Sequence, residues 1–134
     1  MTYDLSRFST GSFQCFAQSL ALNEFGPGLQ VYGSGPDGGR DATFTGRANY
    51  PSSTSPWDGY TVIQAKFKEK LNADSRDADW LVAQIKGEQE KWLKAKNQKR
   101  PDYYLVVSNV DLSSVPLTRS AKGGGCRPMA FFHL

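Results

Sequence analysis

Apolar residues recur at helical spacing near the start of the chain, at Phe13, Phe16, Ala17, Leu20 and Ala21. Ser9 or Thr10 is placed to cap that helix, and Asn23 to Gly28, with two glycines and a proline, ends it. The stripe predicts an amphipathic helix packed on a sheet. Leu29 to Tyr32 reads as a short strand, and a second begins at Asp41 to Phe44. Gly46 to Gly59 carries prolines and serines without a period and predicts a loop, decorated by Arg47, Tyr50 and Trp57. Two readings of that loop stay open. It either touches a ligand or is a surface insertion with Trp57 folded onto the sheet.

Tyr60 to Phe67 is β-branched and aromatic and predicts a strand. Asp77 to Asn97 predicts a second helix, with Leu81, Ile85, Trp92 and Ala95 on one face and Gln84, Glu88 and Lys91 along its border. Pro101 stops it, and Tyr103 to Asn109 reads as a buried strand. The order is helix, three strands, helix, strand. Its last step has the form of a right-handed crossover between parallel strands. Arg119 to Leu134, with its Gly123-Gly124-Gly125 run, shows no period and predicts an irregular tail dispensable for folding.

Chemistry enters on the strand after the loop. Side chains alternate along a strand, so Gln64 and Lys66 point one way and Ala65 the other. Upstream, Asp37 stands in a glycine-rich turn. An oxygen ligand and an ammonium fixed side by side, near a carboxylate, can hold a hard cation against a phosphate. The segments Gly35-Pro36-Asp37-Gly38-Gly39-Arg40-Asp41 and Gln64-Ala65-Lys66 together resemble the PD-(D/E)XK nuclease superfamily, in its Mrr-like branch with a Gln-x-Lys second motif.

Residues 1–118 are expected to form one domain, and the resemblance, which covers about residues 8–110, implies an α/β fold with a restriction-endonuclease-like αβββαβ core and a mixed central sheet flanked by helices. It implies a Mg²⁺- or Mn²⁺-dependent endonuclease that hydrolyses DNA phosphodiester bonds in restriction or anti-phage defence. Asp37, Gln64 and the backbone carbonyl of Ala65 would hold the metal, and Lys66 would orient the attacking water. Gln14 stands where many relatives carry a supporting helix glutamate. Arg40, Asp41, Gln84 and Lys91 are further supporting or DNA-contacting candidates. Gln64 and Gln14 in place of acids leave the site poorer in negative charge, which makes a weak-metal or conditionally active enzyme an open outcome. Double-stranded DNA is the expected partner. A homo-oligomer, or fusion to the NTPase and sensor region of a longer antiviral protein, is compatible with the resemblance.

Composition narrows the alternatives. The chain has 134 residues, 39% hydrophobic and 22% charged, which suits one folded domain rather than a disordered chain. A net charge of +3 permits a nucleic-acid partner without requiring one. No apolar run is long enough to span a membrane and no signal peptide opens the sequence, so cytoplasm is the expected compartment. Cys15 and Cys126 lie far apart and form neither a disulfide framework nor a zinc pattern. His133, the only histidine, sits outside the motifs. Gly33, Gly35 and Gly38 fit a dinucleotide-binding spacing, but a strand follows where a helix would be needed to hold the pyrophosphate. A DNA-binding or regulatory module with little catalysis remains the main alternative, and a nucleotide-binding module using the Gly33 turn is the second.

Overall fold

Helix α1 (Thr10–Phe25) begins where Ser9 can satisfy its open backbone donors. In the computed structural model, Ser9 Oγ accepts from the Ser12 N–H at 3.2 Å, while the Ser9 N–H donates to Ser12 Oγ at 2.8 Å. This is a capping box with serine in the place usually held by Glu or Gln, and such a cap contributes about 1 kcal/mol. The structure describes all residues except 1–4, 6, 34–39, 95–98, 112–128 and 134, with 129–133 described by their backbone. Gly26 ends α1 with φ of 87°, a conformation glycine adopts without strain. The buried residues Phe13, Ala17, Ala21 and Phe25 repeat every fourth position and form the face that meets the sheet.

Five strands make one mixed sheet, in the same spatial order as the chain: β1 (Gln30–Val31), β2 (Ala42–Pro51), β3 (Pro56–Lys66), β4 (Tyr103–Ser108) and β5 (Met129–His133). The β1–β2 and β2–β3 pairs are antiparallel, and β3–β4 and β4–β5 are parallel. A parallel pair cannot be closed by a tight turn, and α2 (Ser75–Lys94) supplies the connection from β3 to β4. The α/β class and the mixed sheet are as expected.

Alternation along β3 and β4 divides the core in two. Ile63, Leu105 and Val107 pack with the α1 stripe, whereas Val62, Tyr104 and Val106 pack with Ala78, Leu81, Ile85 and Trp92 of α2. Each fully buried aliphatic side chain of this kind contributes about 1.5–3 kcal/mol. Ala95, assigned to the α2 face from spacing, lies outside the described residues. The entry to α2 is fixed by Asp77, whose carboxylate accepts from Lys68 Nζ at 2.6 Å, from the Asn72 N–H at 2.9 Å and from the Ala73 N–H at 2.9 Å. Those bonds set the start of the helix and hence the angle at which its inner face reaches the sheet.

Two expectations are corrected. The stretch Gly46 to Gly59 is a β-hairpin, not a loop, and only residues 52–55 lie between its strands. Gly46 pairs with Gly59, both at positive φ (124° and 154°), so the hairpin twists where the apolar alternation is interrupted. Gly59 also has no room for a side chain, because a Cβ there would stand 2.5 Å from Asp102 Oδ2. Asp102 uses that oxygen to accept the Tyr60 N–H at 2.9 Å. Trp57 is a core residue, its ring stacked on Tyr103 at 4.7 Å and edge-on to Tyr50 at 5.0 Å.

The second correction concerns the tail. Residues 129–133 are a strand paired in register with Tyr104–Ser108. The reason is physical: β4 is buried on both faces, and an edge with unpaired N–H and C=O groups there would be costly. Five residues are too few to show a period. Among the described residues, no helix is long and apolar enough to cross a membrane.

Candidate functional site

The strand that carries Gln64 and Lys66 is β3, and the predicted facing holds. Ala65 packs toward the α1 side, while Gln64 and Lys66 both meet Glu88 of α2. Gln64 is fully buried. Its Oε1 accepts the Tyr104 hydroxyl in a short hydrogen bond, and its Nε2 donates to Glu88 Oε2 at 3.3 Å. With Tyr104 donating on one side, the amide has one consistent orientation. Lys66 Nζ donates to Glu88 Oε1 at 3.0 Å, with 14% of the lysine side chain and 7% of the glutamate side chain exposed.

Among the described residues, the carboxylate bonded to the backbone of this strand at Ala65 is Asp41. Its Oδ2 accepts the Ala65 N–H at 2.5 Å, and its own N–H donates to the Ile63 carbonyl at 3.0 Å. Asp37 lies four positions earlier, within the undescribed residues 34–39. Just outside β1 and β2, the Tyr32 N–H donates to the Asp41 carbonyl at 3.0 Å. From α1, Gln18 Nε2 donates to the carbonyls of both Tyr32 (2.7 Å) and Asp41 (2.9 Å). The α1 amide that reaches the site is therefore Gln18, one turn beyond Gln14, which is half-buried.

Arg40 flanks Asp41. Its guanidinium donates to the Tyr60 hydroxyl at 3.2 Å and lies 5.3 Å from the Tyr32 ring centroid. Lys91 is largely exposed and reaches Glu88 Oε1 at 3.4 Å. Gln84 is exposed on α2.

The electrostatics follow the geometry. Burial pushes the Glu88 carboxyl upward, but the Lys66 hydrogen bond and charge, the Gln64 amide and the Lys91 charge outweigh it and hold the group below its ordinary value. The Tyr104 hydroxyl is driven well above its ordinary range by burial and then by the charges of Glu88 and Asp41. Both carboxylates therefore act on the same buried hydroxyl. One ammonium, one amide, one hydroxyl and two carboxylates are contributed by β3, β4, α2 and the residue that precedes β2.

Among the described residues, no three His, Cys, Asp or Glu side chains cluster as a ready metal cage. Asp41, Gln64 and Ala65 nevertheless carry oxygen groups, a carboxylate, an amide oxygen (which retains a lone pair beside its Tyr104 bond) and a backbone carbonyl. That chemistry suits a small hard cation that keeps several waters. Glu88 and Tyr104 were legible as a helix-border residue and a strand residue, whereas Gln18 carried no signal of its own in the sequence. Their convergence was not, because it depends on how three elements stack.

No model of a known protein family matches this chain, and no curated protein or solved structure does either.

Proposed function

We propose that this chain is a divalent-metal-dependent endonuclease acting on DNA, with a site of the restriction-endonuclease-like PD-(D/E)XK kind. The observation that carries the reading is the Asp41 carboxylate bonded to the Ala65 N–H, on the strand that presents Gln64 and Lys66. Asp41, with Gln64 and the Ala65 carbonyl, would hold Mg²⁺ or Mn²⁺. The ion would polarise the phosphorus centre and acidify a bound water. Gln18 and the Ile63 carbonyl fix the backbone of Asp41, so its carboxylate is set before substrate arrives. Lys66 places a positive charge where the phosphate gains charge in the transition state. Arg40, beside Asp41, is suited to a backbone phosphate contact. Restriction or anti-phage defence is the setting that goes with this activity.

The deciding experiment is cleavage of plasmid and linear double-stranded DNA with Mg²⁺, Mn²⁺ or EDTA, run on the chain and on Lys66→Ala. Metal-dependent cutting abolished by EDTA and by Lys66→Ala supports the reading. DNA binding without cutting under any metal replaces it with the second reading, a DNA-binding module of the same fold. One observation favours that second reading: Lys66 is already neutralised by Glu88, and both polar ends of the Gln64 amide are engaged inside the protein.

A further inference from the structure

Among the described residues, Glu88 is the acidic group that touches both motif residues of β3. It lies on α2, 22 positions from Lys66 and 24 from Gln64, with 5% of its surface exposed. Both of its oxygens are used as acceptors. Oε1 takes Lys66 Nζ at 3.0 Å and Lys91 Nζ at 3.4 Å, and Oε2 takes Gln64 Nε2 at 3.3 Å. Behind it, the Tyr104 hydroxyl donates to Gln64 Oε1. The result is a continuous chain from a β4 hydroxyl through a β3 amide and an α2 carboxylate to the β3 ammonium.

We infer that Glu88 is a positioning residue for Lys66, holding its ammonium at the rim of the site, and that Tyr104 and Gln64 hold Glu88 in turn. The inference rests on the nuclease reading for its catalytic consequence, but not for the coupling itself. Three physical points favour it. A lysine has four rotatable side-chain bonds, and a strand alone fixes only its first atoms. The carboxylate opposite it is itself held on both oxygens, so it cannot follow the lysine outward. A buried carboxylate costs solvation free energy that a surface pair would avoid, and it lies here against the two motif side chains rather than at a random place on α2.

This also gives Gln64 a purpose beyond ligation. An acid at that position would face Glu88 directly, two negative groups at hydrogen-bonding distance. An amide can instead accept from Tyr104 and donate to Glu88 at once.

The test uses the full chain with Glu88→Gln and Glu88→Asp. Glutamine keeps the shape but replaces one of the two oxygens by a donor NH2, so the separate positions that take Lys66 and Gln64 cannot both accept. Brief acetylation followed by peptide mass spectrometry reads Lys66 directly, without reference to activity. Lys66 in Glu88→Gln is expected to label about threefold faster than in the wild type, as expected for loss of a modest ion pair. Lys68, held by Asp77, is the internal control and is expected to be unchanged.

In the cleavage assay, kcat is expected to fall about tenfold or more while KM stays within about twofold, with Glu88→Asp recovering part of the loss. Unchanged Lys66 labelling in Glu88→Gln overturns the inference. So does a kcat equal to that of the wild type, or a loss confined to KM. If the wild-type chain cuts no DNA, the nuclease reading falls by itself, and the labelling result alone decides whether Glu88 positions Lys66.

Discussion

Gln18 of α1 donates from one side-chain nitrogen to the backbone carbonyl of Asp41 at 2.9 Å and to that of Tyr32 at 2.7 Å. The two acceptors follow β1 and precede β2, and Asp41 goes on to meet β3 at Ala65. A helix packed on the sheet thereby fixes the backbone of the carboxylate that accepts the Ala65 N–H. Gln18→Ala is expected to lower stability by about 1–3 kcal/mol, the sum of two part-buried hydrogen bonds. Urea denaturation measures it. A change within about 0.5 kcal/mol would mean that the Tyr32–Asp41 backbone bond holds these two residues together unaided.

Asp41→Asn separates placement from charge. The amide oxygen can still accept the Ala65 N–H, so the fold is expected to remain within about 1 kcal/mol of the wild type. The loss of the anionic oxygen is expected to reduce metal-dependent cleavage by about a hundredfold or more. Single-turnover cleavage at saturating Mg²⁺, alongside Asp37→Asn, tells which carboxylate carries the metal. Wild-type rates for Asp41→Asn would return that role to Asp37.

Acid stability has an identifiable contributor away from the site. The Asp77 carboxyl is lowered from an ordinary value of 3.8 to about 2, first by the Lys68 hydrogen bond and then by the Asn72 and Ala73 N–H groups. Because the folded-state value is the lower one, the unfolded chain binds the proton more readily between these pH values. The stabilisation is thus complete above the ordinary value and is lost as pH falls through about 2. The difference in stability between the wild type and Asp77→Asn is expected to be constant near about pH 6 and to shrink steadily below about pH 4. Urea titrations across that range, at fixed ionic strength, are the measurement.

Removing residues 129–134 strips β5 from the parallel edge of β4. The exposed edge would leave backbone groups unpaired beside one of the most buried strands of the fold. The melting temperature is expected to drop by about 10 °C or more, with aggregation promoted by the open edge. Thermal unfolding followed by circular dichroism, with light scattering, tests both. An unchanged melting temperature would show that the pairing contributes little.

Local pattern was enough for the elements whose periods are long or whose ends are chemically marked. Ser9, the stripe from Phe13 to Ala21 and the face of Leu81, Ile85 and Trp92 are determined by near-neighbour geometry, and all three appear where the sequence places them. Alternation on β3 likewise fixed the shared facing of Gln64 and Lys66. The hairpin from Gly46 to Gly59 escaped because glycines at positive φ and a core tryptophan next to a serine turn break the simple alternation. The strand at 129–133 escaped because a short edge strand exists through its partner, not through its own pattern.

The site divides the same way. Sequence determined that an amide and a lysine stand side by side on one strand, since that is a property of the strand alone. Only the tertiary structure decided that Asp41 meets Ala65, that Gln18 holds its backbone and that Glu88 and Tyr104 enclose Gln64. Those contacts join residues 23 to 40 positions apart. No local period encodes such separations, because they are set by the register of β2 on β3, the crossover through α2 and the packing of two helices on opposite faces of one sheet.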